Sequence, residues 1–299
     1  MEIRDGGIFL GSGEYDNYIT IDDCDFEVVL FPDGKPRFGG NSQLFVLRDP
    51  SDEDEDRVIK FCRWPLGGGH RRASERFDRE IRALKLCARN AKNRIVRYHT
   101  SGVHDFGRDR RKYIILEKAD NNLHEWLVAN DTTVMERLSL IRNITKAIHE
   151  LHEIGIYHRD IKHENFLFMN NECKVGDLGL AQFRDDDISV IDRTDEKIGP
   201  CGWLSPEAMN KVLRGRHSGT GAFNCTLGKH TDVFALGKLY WYVIQGNLPI
   251  GVVSTADFAI SSKSLYDLII DMTQHDQVRR PTLEVVTERI SEVCDSFTE

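Results

Sequence analysis

Residues 157–179 read YHRDIKHENFLFMNNECKVGDLG, and no other stretch restricts the fold of this chain as strongly. Phe166 to Met169 and Cys173 to Val175, with the turn Asn170 and Asn171 between them, read as a short hairpin. Its open end brings Asn165 and Asp177 together as two oxygen donors, with Asp160 and Lys162 just upstream. These four side chains suit the holding of a metal-bound nucleotide beside a hydroxyl nucleophile. Phosphoryl transfer leaves a protein little covalent work: it needs metal ligands, one cation on the migrating charge, and one carboxylate orienting the attacking oxygen. A His-Arg-Asp triplet alone would mean little among 48 acidic residues. The four-residue combination is far more specific.

The segments around this stretch set the rest of the architecture. TTVMERLSLIRNITKAIHELHEIG opens with a capping box, Thr133 and Glu136, and carries Leu138, Ile141, Ile144, Ile148 and Leu151 at helical spacing. It stops at Gly155, so it reads as a long core helix. His149 and His152 on it read as exposed or packed helix residues, since no Cys or carboxylate recurs at metal-ligand spacing. Asp232 opens a second helix, Val233 to Gln245, apolar almost all round and ended by Gly246 and Pro249, which marks a central buried helix. Amphipathic segments follow at Leu265–Met272 and Leu283–Val293. The second half is mainly helical.

The first hundred residues are strands with one helix. SERFDREIRALKLCA, residues 74–88, has Ser74 as a candidate N-cap and Phe77, Ile81, Leu84 and Ala88 on one stripe. Glu80 sits beside that stripe, where a buried carboxylate needs a cation. Lys60, in the strand RVIKF, is the candidate. The acidic run Asp49 to Asp56 between LFVL and RVIKF reads as the loop of a hairpin.

Composition narrows the function classes. With 299 residues and 40% of them apolar, the chain can bury a core in one large domain or two lobes. A net charge of -8 argues against a nucleic-acid partner, which would need clustered cations. The most apolar run, VFALGKLYWYVI, is shorter than a membrane span, and MEIRDGGIFL lacks the pattern of a leader. The seven cysteines show no CxxC spacing and read as reduced thiols. A soluble cytoplasmic protein without a membrane partner is expected.

HRDIKHEN followed by DLG, behind a strand-rich lobe and within a helical one, resembles the eukaryotic-type serine/threonine protein kinase family from about Arg37 to Ile290. The resemblance implies an α+β, bilobal fold: a small antiparallel β lobe with one helix and a larger, mainly helical lobe. It divides the chain into an N-terminal strand-rich extension (1–36), an N-lobe (37–119) and a C-lobe (120–299). It makes Asp160 the catalytic base, Lys162 the cation on the γ-phosphate, and Asn165 and Asp177 the magnesium ligands. Lys60 becomes the contact to the α and β phosphates, with Glu80 its helix partner. The nucleotide would further meet Gly39, Gly40 and Leu44, with Val58 and Leu167 sandwiching adenine and the backbone of Glu117 to Ala119 facing it. Asp232 would support the catalytic-loop backbone, and Tyr98, Leu84, Leu178 and His158 would form the regulatory spine. Glu207 in SPE would pair with Arg280 in RRPT. ATP, Mg2+, a protein substrate presenting Ser or Thr, and self-association for autophosphorylation follow as expected partners.

The chain departs from the family at two places. Counting back from Leu44 puts Arg37, Gly39 and Ser42 at the three positions of the glycine-rich loop, so one glycine is in register; LGSGEY at 10–15 lies too far upstream. Pro200 stands where serine/threonine kinases carry a threonine, and proline offers neither hydroxyl nor N–H. A catalytically silent nucleotide-binding scaffold is therefore the alternative reading. A small-molecule kinase of the aminoglycoside type is a third, opposed by SPE and RRPT. Arg159 beside the base implies activation-loop control, with Thr194 and Ser189 as candidate phosphosites. Asp185, Asp186, Asp187, Asp192, Asp195 and Glu196 could provide the negative partner instead. The glycine-rich stretch at 213–229 reads as a surface loop.

Overall fold

The computed structural model describes residues 2–4, 7–10, 17–49, 52–107, 109–185, 202–214, 225–251 and 253–297. Ser189, Thr194, Pro200, the acids at 186, 187, 192, 195 and 196, residues 11–15 of LGSGEY and residues 215–224 of the long loop lie outside them. The chain divides into two compact units, Met1–Ala119 and Asp120–Glu299.

In the first unit, β1 (Glu2–Arg4) and β2 (Gly7–Phe9) form an antiparallel ribbon. The main sheet contains β3 (Tyr18–Ile21), β4 (Cys24–Val29), β5 (Arg37–Phe38), β6 (Ser42–Asp49), β7 (Asp52–Cys62), β8 (Tyr98–Asp105) and β9 (Arg110–Glu117). Its order is β3-β4-β6-β7-β9-β8, and β5 also pairs with β6. Alternation along these strands puts Ile19, Ile21, Phe26, Val28, Phe45, Leu47, Ile59, Phe61 and Ile115 into one apolar core. β4 and β5 share one edge of β6: Val28 opposes Leu47, and Arg37 opposes Leu44. Between them Pro32 and Pro36, which have no N–H to give a ladder, interrupt the strand, and Gly34 turns at φ +71°.

Three sequence expectations change here. The sheet runs across the boundary at residue 36, because β3 and β4 pair onto it. The acidic run is mostly strand: Asp49 pairs with Asp52, so the hairpin connection is only residues 50 and 51. Asp56 is neutralised by Lys118 at 3.0 Å. Finally, α1 spans Arg71–Arg89 with His70 at the N-cap position, and Ser74 lies inside it, accepting from Lys112 Nζ at 2.8 Å. Its buried face is Ala73, Phe77, Glu80, Ala83, Leu84 and Cys87, with Ala88 exposed.

In the second unit, β10 (Asn121–Asn122), β12 (Phe166–Met169) and β13 (Glu172–Val175) make a three-stranded sheet, and β11 (Ile156–Tyr157) pairs with β14 (Gln182–Phe183). The helices are α2 (Leu123–Ala129), α3 (Val134–Glu153), α4 (Pro206–Arg214), α5 (Lys229–Gln245), α6 (Lys263–Met272) and α7 (Leu283–Ser296). Both halves of the Thr133–Glu136 capping box form, and Gly155 leaves α3 at φ +76°. α5 is buried almost throughout, with Asp232 in its first turn rather than ahead of it. At Gly237 a Cβ would meet Met272 Cβ at 2.8 Å, so glycine lets α5 and α6 close on each other. A small antiparallel β unit with one long helix and a larger helical unit give the bilobal α+β class.

Candidate active site

The candidate residues lie in two groups, one in each unit. In the first, β7 holds Lys60 opposite Leu44 on β6 and Ile114 on β9, and α1 packs on β7 and β8. The register and the helix place Lys60 Nζ 2.7 and 2.9 Å from the two carboxylate oxygens of Glu80. Both residues are buried, at 7% and 3% exposure. An ammonium fixed in this way is a rigid cation ready for phosphate oxygens. Val58 is buried and opposes Leu116, Leu44 is half-buried, and Glu117 and Ala119 close the unit. In the β5–β6 turn, the Gly39 N–H donates to Ser42 O at 3.0 Å, and a Cβ at Gly39 would lie 2.8 Å from Ser42 Oγ. Gly40 has no heavy atom within 4 Å of a built Cβ, so this turn needs only Gly39 for space.

The second group is built on the hairpin β12–β13, where Phe166 opposes Val175 and Met169 opposes Glu172. Asn170 and Asn171 both take positive φ, 49° and 64°, the requirement of a two-residue type I′ turn. At the open end the Gly176 N–H donates to Asn165 O at 2.8 Å. Asn165 Nδ2 donates to Asp160 O at 2.7 Å and to Asp160 Oδ2 at 3.0 Å, and Lys162 Nζ lies 3.1 Å from that same oxygen. Leu167, half-buried on β12, opposes Asn122 of β10.

Burial and the negative charge of Asp177 raise the Asp160 pKa above its ordinary value, against the opposing pull of Lys162, His158 and Asn165. Asp177 is thus close enough to act on the Asp160 carboxylate, and it is itself exposed, at φ 52°. His158 is fully buried; its Nδ1 accepts the Asp160 N–H at 3.2 Å while Nε2 faces Gly176 O at 3.1 Å. Nδ1 thus accepts, and Nε2 is the ring nitrogen turned toward that carbonyl. Leu178 is buried in this unit, as Leu84 is in the first, where Tyr98 is half-buried.

Asp232 holds the backbone that carries Asp160. Its carboxylate accepts the N–H of His158 and that of Arg159, each at 2.7 Å, and His152 Nε2 at 2.8 Å. Burial alone would raise its pKa, but the bond and charge of His152, with His158 and the Arg159 amide, hold it below the ordinary value. Arg159 is kept at φ +66°, a conformation that costs a non-glycine residue roughly 1–3 kcal/mol. Further along, Arg280 binds Glu207 through two bonds of 2.8 Å, and the Thr231 hydroxyl donates to the same carboxylate at 3.0 Å.

Sequence reasoning missed two relationships. The role of His152 beside Asp232 had no local signal, because 80 positions separate them. Nor did the packing of His163, in the turn that leads to Asn165, between Tyr242 at 4.7 Å and Trp203 at 5.4 Å, with His124 Nδ1 2.6 Å from the Tyr242 hydroxyl. Asn165 and Asp177 provide hard oxygen donors, and the amide nitrogen of Asn165 is already engaged. That set fits a small hard dication that fills its remaining positions with phosphate oxygens and water. Among the described residues no group of three or more His, Cys, Asp and Glu is placed to hold a metal by itself.

This combination of units and side-chain groups is that of a protein kinase. A sequence model of the protein kinase domain matches residues 59–294, and the chain belongs to that family. It is similar to the dual specificity protein kinase TTK of Mus musculus, 24% identical over 71% of this chain and 23% of that protein. It is similar also to the serine/threonine-protein kinase mph1 of Schizosaccharomyces pombe, 25% identical over 71% of this chain and 30% of that one. With the calcium/calmodulin-dependent protein kinase type 1 of Caenorhabditis elegans it shares 24% identity over 95% of this chain and 73% of the relative. The chain therefore spans less than a third of the first two proteins.

Proposed function

We propose that this chain is an active ATP-dependent kinase that phosphorylates Ser and Thr hydroxyls of proteins, its own chain included. The observation that carries the reading is the Asp160 carboxylate, buried, with one oxygen shared by Lys162 and Asn165. Oδ2 is occupied, so Oδ1 is the acceptor for a substrate hydroxyl proton. Lys162, 3.1 Å away, neutralises charge on the transferred phosphoryl group. Asn165 and Asp177 would hold Mg2+, which when bound neutralises the phosphate oxygens. Lys60, oriented by Glu80, would fix the α and β phosphates, with Gly39, Gly40, Leu44, Val58, Leu167 and the backbone from Glu117 to Ala119 around the nucleotide. Lys162 and the relatives named as serine/threonine kinases favour aliphatic hydroxyls. A cytoplasmic setting and transient self-association complete the reading; the six described cysteines are all free. No helix among the described residues is long and apolar enough to cross a membrane.

Labelled ATP with magnesium, offered to the purified chain alone and with a generic basic protein, tests this. Transfer that disappears in Asp160→Asn and Lys60→Met supports it. Transfer unchanged in both means another enzyme carried it. Magnesium-dependent ATP binding without transfer would favour the scaffold, which Pro200 and the single in-register glycine motivate.

A further inference from the structure

α5 touches the stretch that carries Asp160 and Lys162 at two places, roughly three helical turns apart. Upstream of both residues, Asp232 accepts the His158 and Arg159 amides, each at 2.7 Å. Downstream, Tyr242 lays its ring on the His163 imidazole, with centroids 4.7 Å apart and planes 26° from parallel. The 3-10 turn that begins at His163 is three residues long, too short for its own hydrogen bonds to fix its direction. Packing on α5 therefore sets where it points, and Lys162 is the residue immediately before it.

Trp203 closes the other side of this stack. It meets His163 at 5.4 Å and Tyr242 at 5.8 Å, both edge-on, one of the two arrangements that ring quadrupoles favour. The backbone beside Trp203 is tied to α5 as well: Gly202 O accepts from Lys238 Nζ at 2.5 Å, and Lys238 stands one turn before Tyr242. From α2, which packs on the same turn, His124 Nδ1 comes within 2.6 Å of the Tyr242 hydroxyl. Trp203 and Tyr242 are buried, but His163 is only half-buried, so its place in the stack adds little to the core. The larger consequence is the place of Lys162, whose Nζ lies 3.1 Å from Asp160 Oδ2.

We propose that Tyr242 is a positioning residue for phosphoryl transfer, acting through the His163 ring on Lys162. Together with Asp232 it holds the stretch from His158 to His163 at both ends, so that Lys162 stands beside Asp160 before charge develops on the transferred group. This rests on the kinase reading. Without the ring, the cation is out of place for part of the time, a loss that falls on kcat. Nucleotide affinity is spared, because the Lys60–Glu80 pair belongs to the first unit.

Tyr242→Leu, Tyr242→Phe and His163→Ala, each in the full chain, test the assignment. Tyr242→Leu and His163→Ala should lower kcat by roughly ten- to a hundredfold while KM for ATP stays within about twofold of the parent. Tyr242→Phe keeps the stacked ring and should restore most of kcat. Placed on Lys162→Met, His163→Ala should remove little more, since residues that act as one unit are not additive. His163 is half-buried, so its truncation leaves the core closed and the result does not hang on whether Tyr242→Leu folds. A parent-like kcat in His163→Ala overturns the proposal, as does a loss that multiplies in full on Lys162→Met. Amide exchange across residues 158–166, followed by mass spectrometry, needs no turnover: it should quicken in His163→Ala and stay parent-like in Tyr242→Phe. A parent chain that transfers no phosphate would sink the kinase reading, whereas exchange unchanged in His163→Ala sinks this one.

Discussion

Asp232 accepts the backbone N–H of Arg159 at 2.7 Å through a carboxylate with no exposed surface, and the residue it holds sits at φ +66°. The anchor therefore maintains a conformation that the backbone would otherwise leave. Asparagine in place of Asp232 would present one acceptor and one NH2 group to two N–H donors. Asp232→Asn should lose about 2–4 kcal/mol in urea denaturation, as expected when a buried, charge-assisted network is broken. Phosphoryl transfer should fall more in kcat than in KM, because the segment carrying Asp160 is displaced. Unchanged stability would mean that Asp232 is no anchor.

The Lys60–Glu80 pair allows a separable test within the first unit. Lys60→Met leaves Glu80, 3% exposed, without its ammonium, and breaking a buried pair on one side typically costs about 3–5 kcal/mol. Lys60→Met with Glu80→Leu should recover most of that loss, because no uncompensated charge remains. ATP affinity should stay low in both variants. Chemical denaturation gives the first comparison and nucleotide titration the second. A double variant no more stable than Lys60→Met would refute the account.

Asp160 should also be visible in pH profiles. Its folded-state pKa is raised, chiefly by burial and then by Asp177. A base must be ionised, so kcat/KM should fall as pH drops through a value above the usual 3.8 for Asp. Lys162 pulls that pKa down, so Lys162→Met should move the acid limb to higher pH. For stability, a raised folded pKa means a contribution present below the unfolded value and lost as pH rises through the folded one. Asp160→Asn should therefore be at least as stable as the parent at neutral pH. A thermal midpoint several degrees lower for Asp160→Asn would contradict this.

Much of this site was legible because its residues are close in sequence. Asp160, Lys162, Asn165 and Asp177 share one loop and hairpin, and the Asn170–Asn171 turn that aligns them follows from local backbone preference alone. The Thr133–Glu136 cap is equally local. Lys60 with Glu80 and Glu207 with Arg280 are distant pairs, found through the family resemblance and through the need of a buried carboxylate for a cation. His152 beside Asp232 and His163 against Tyr242 had neither kind of signal, since each depends on how α3, α2 and the segment from His158 to Asn165 pack on α5. The division of the strand beside β6 into β4 and β5 was hidden because Pro32, Gly34 and Pro36 read as the end of a segment. Only the register on β6 shows that the strand resumes.

Glu207 and Arg280 offer the clearest acid-stability test. Burial alone would raise Glu207, but the Arg280 hydrogen bonds and charge outweigh it and hold the carboxyl below its ordinary 4.5. A depressed folded pKa contributes stability that is present above the unfolded value and lost as pH falls through the folded one. Stability should thus decline below about pH 4.5 partly on account of this pair, a slope that Glu207→Gln should flatten. At neutral pH Glu207→Ala should cost about 3–5 kcal/mol, because the Arg280 guanidinium, with none of its side chain exposed, would lose its counter-charge. Arg280→Lys should cost less but still destabilise, since one ammonium cannot reproduce the paired bonds to the carboxylate while also reaching the carbonyls of His230, Gln274 and His275. Urea midpoints for the parent and the three variants, measured from pH 4 to 8, check both statements. An acid slope identical in Glu207→Gln and the parent would show that other carboxylates carry the transition.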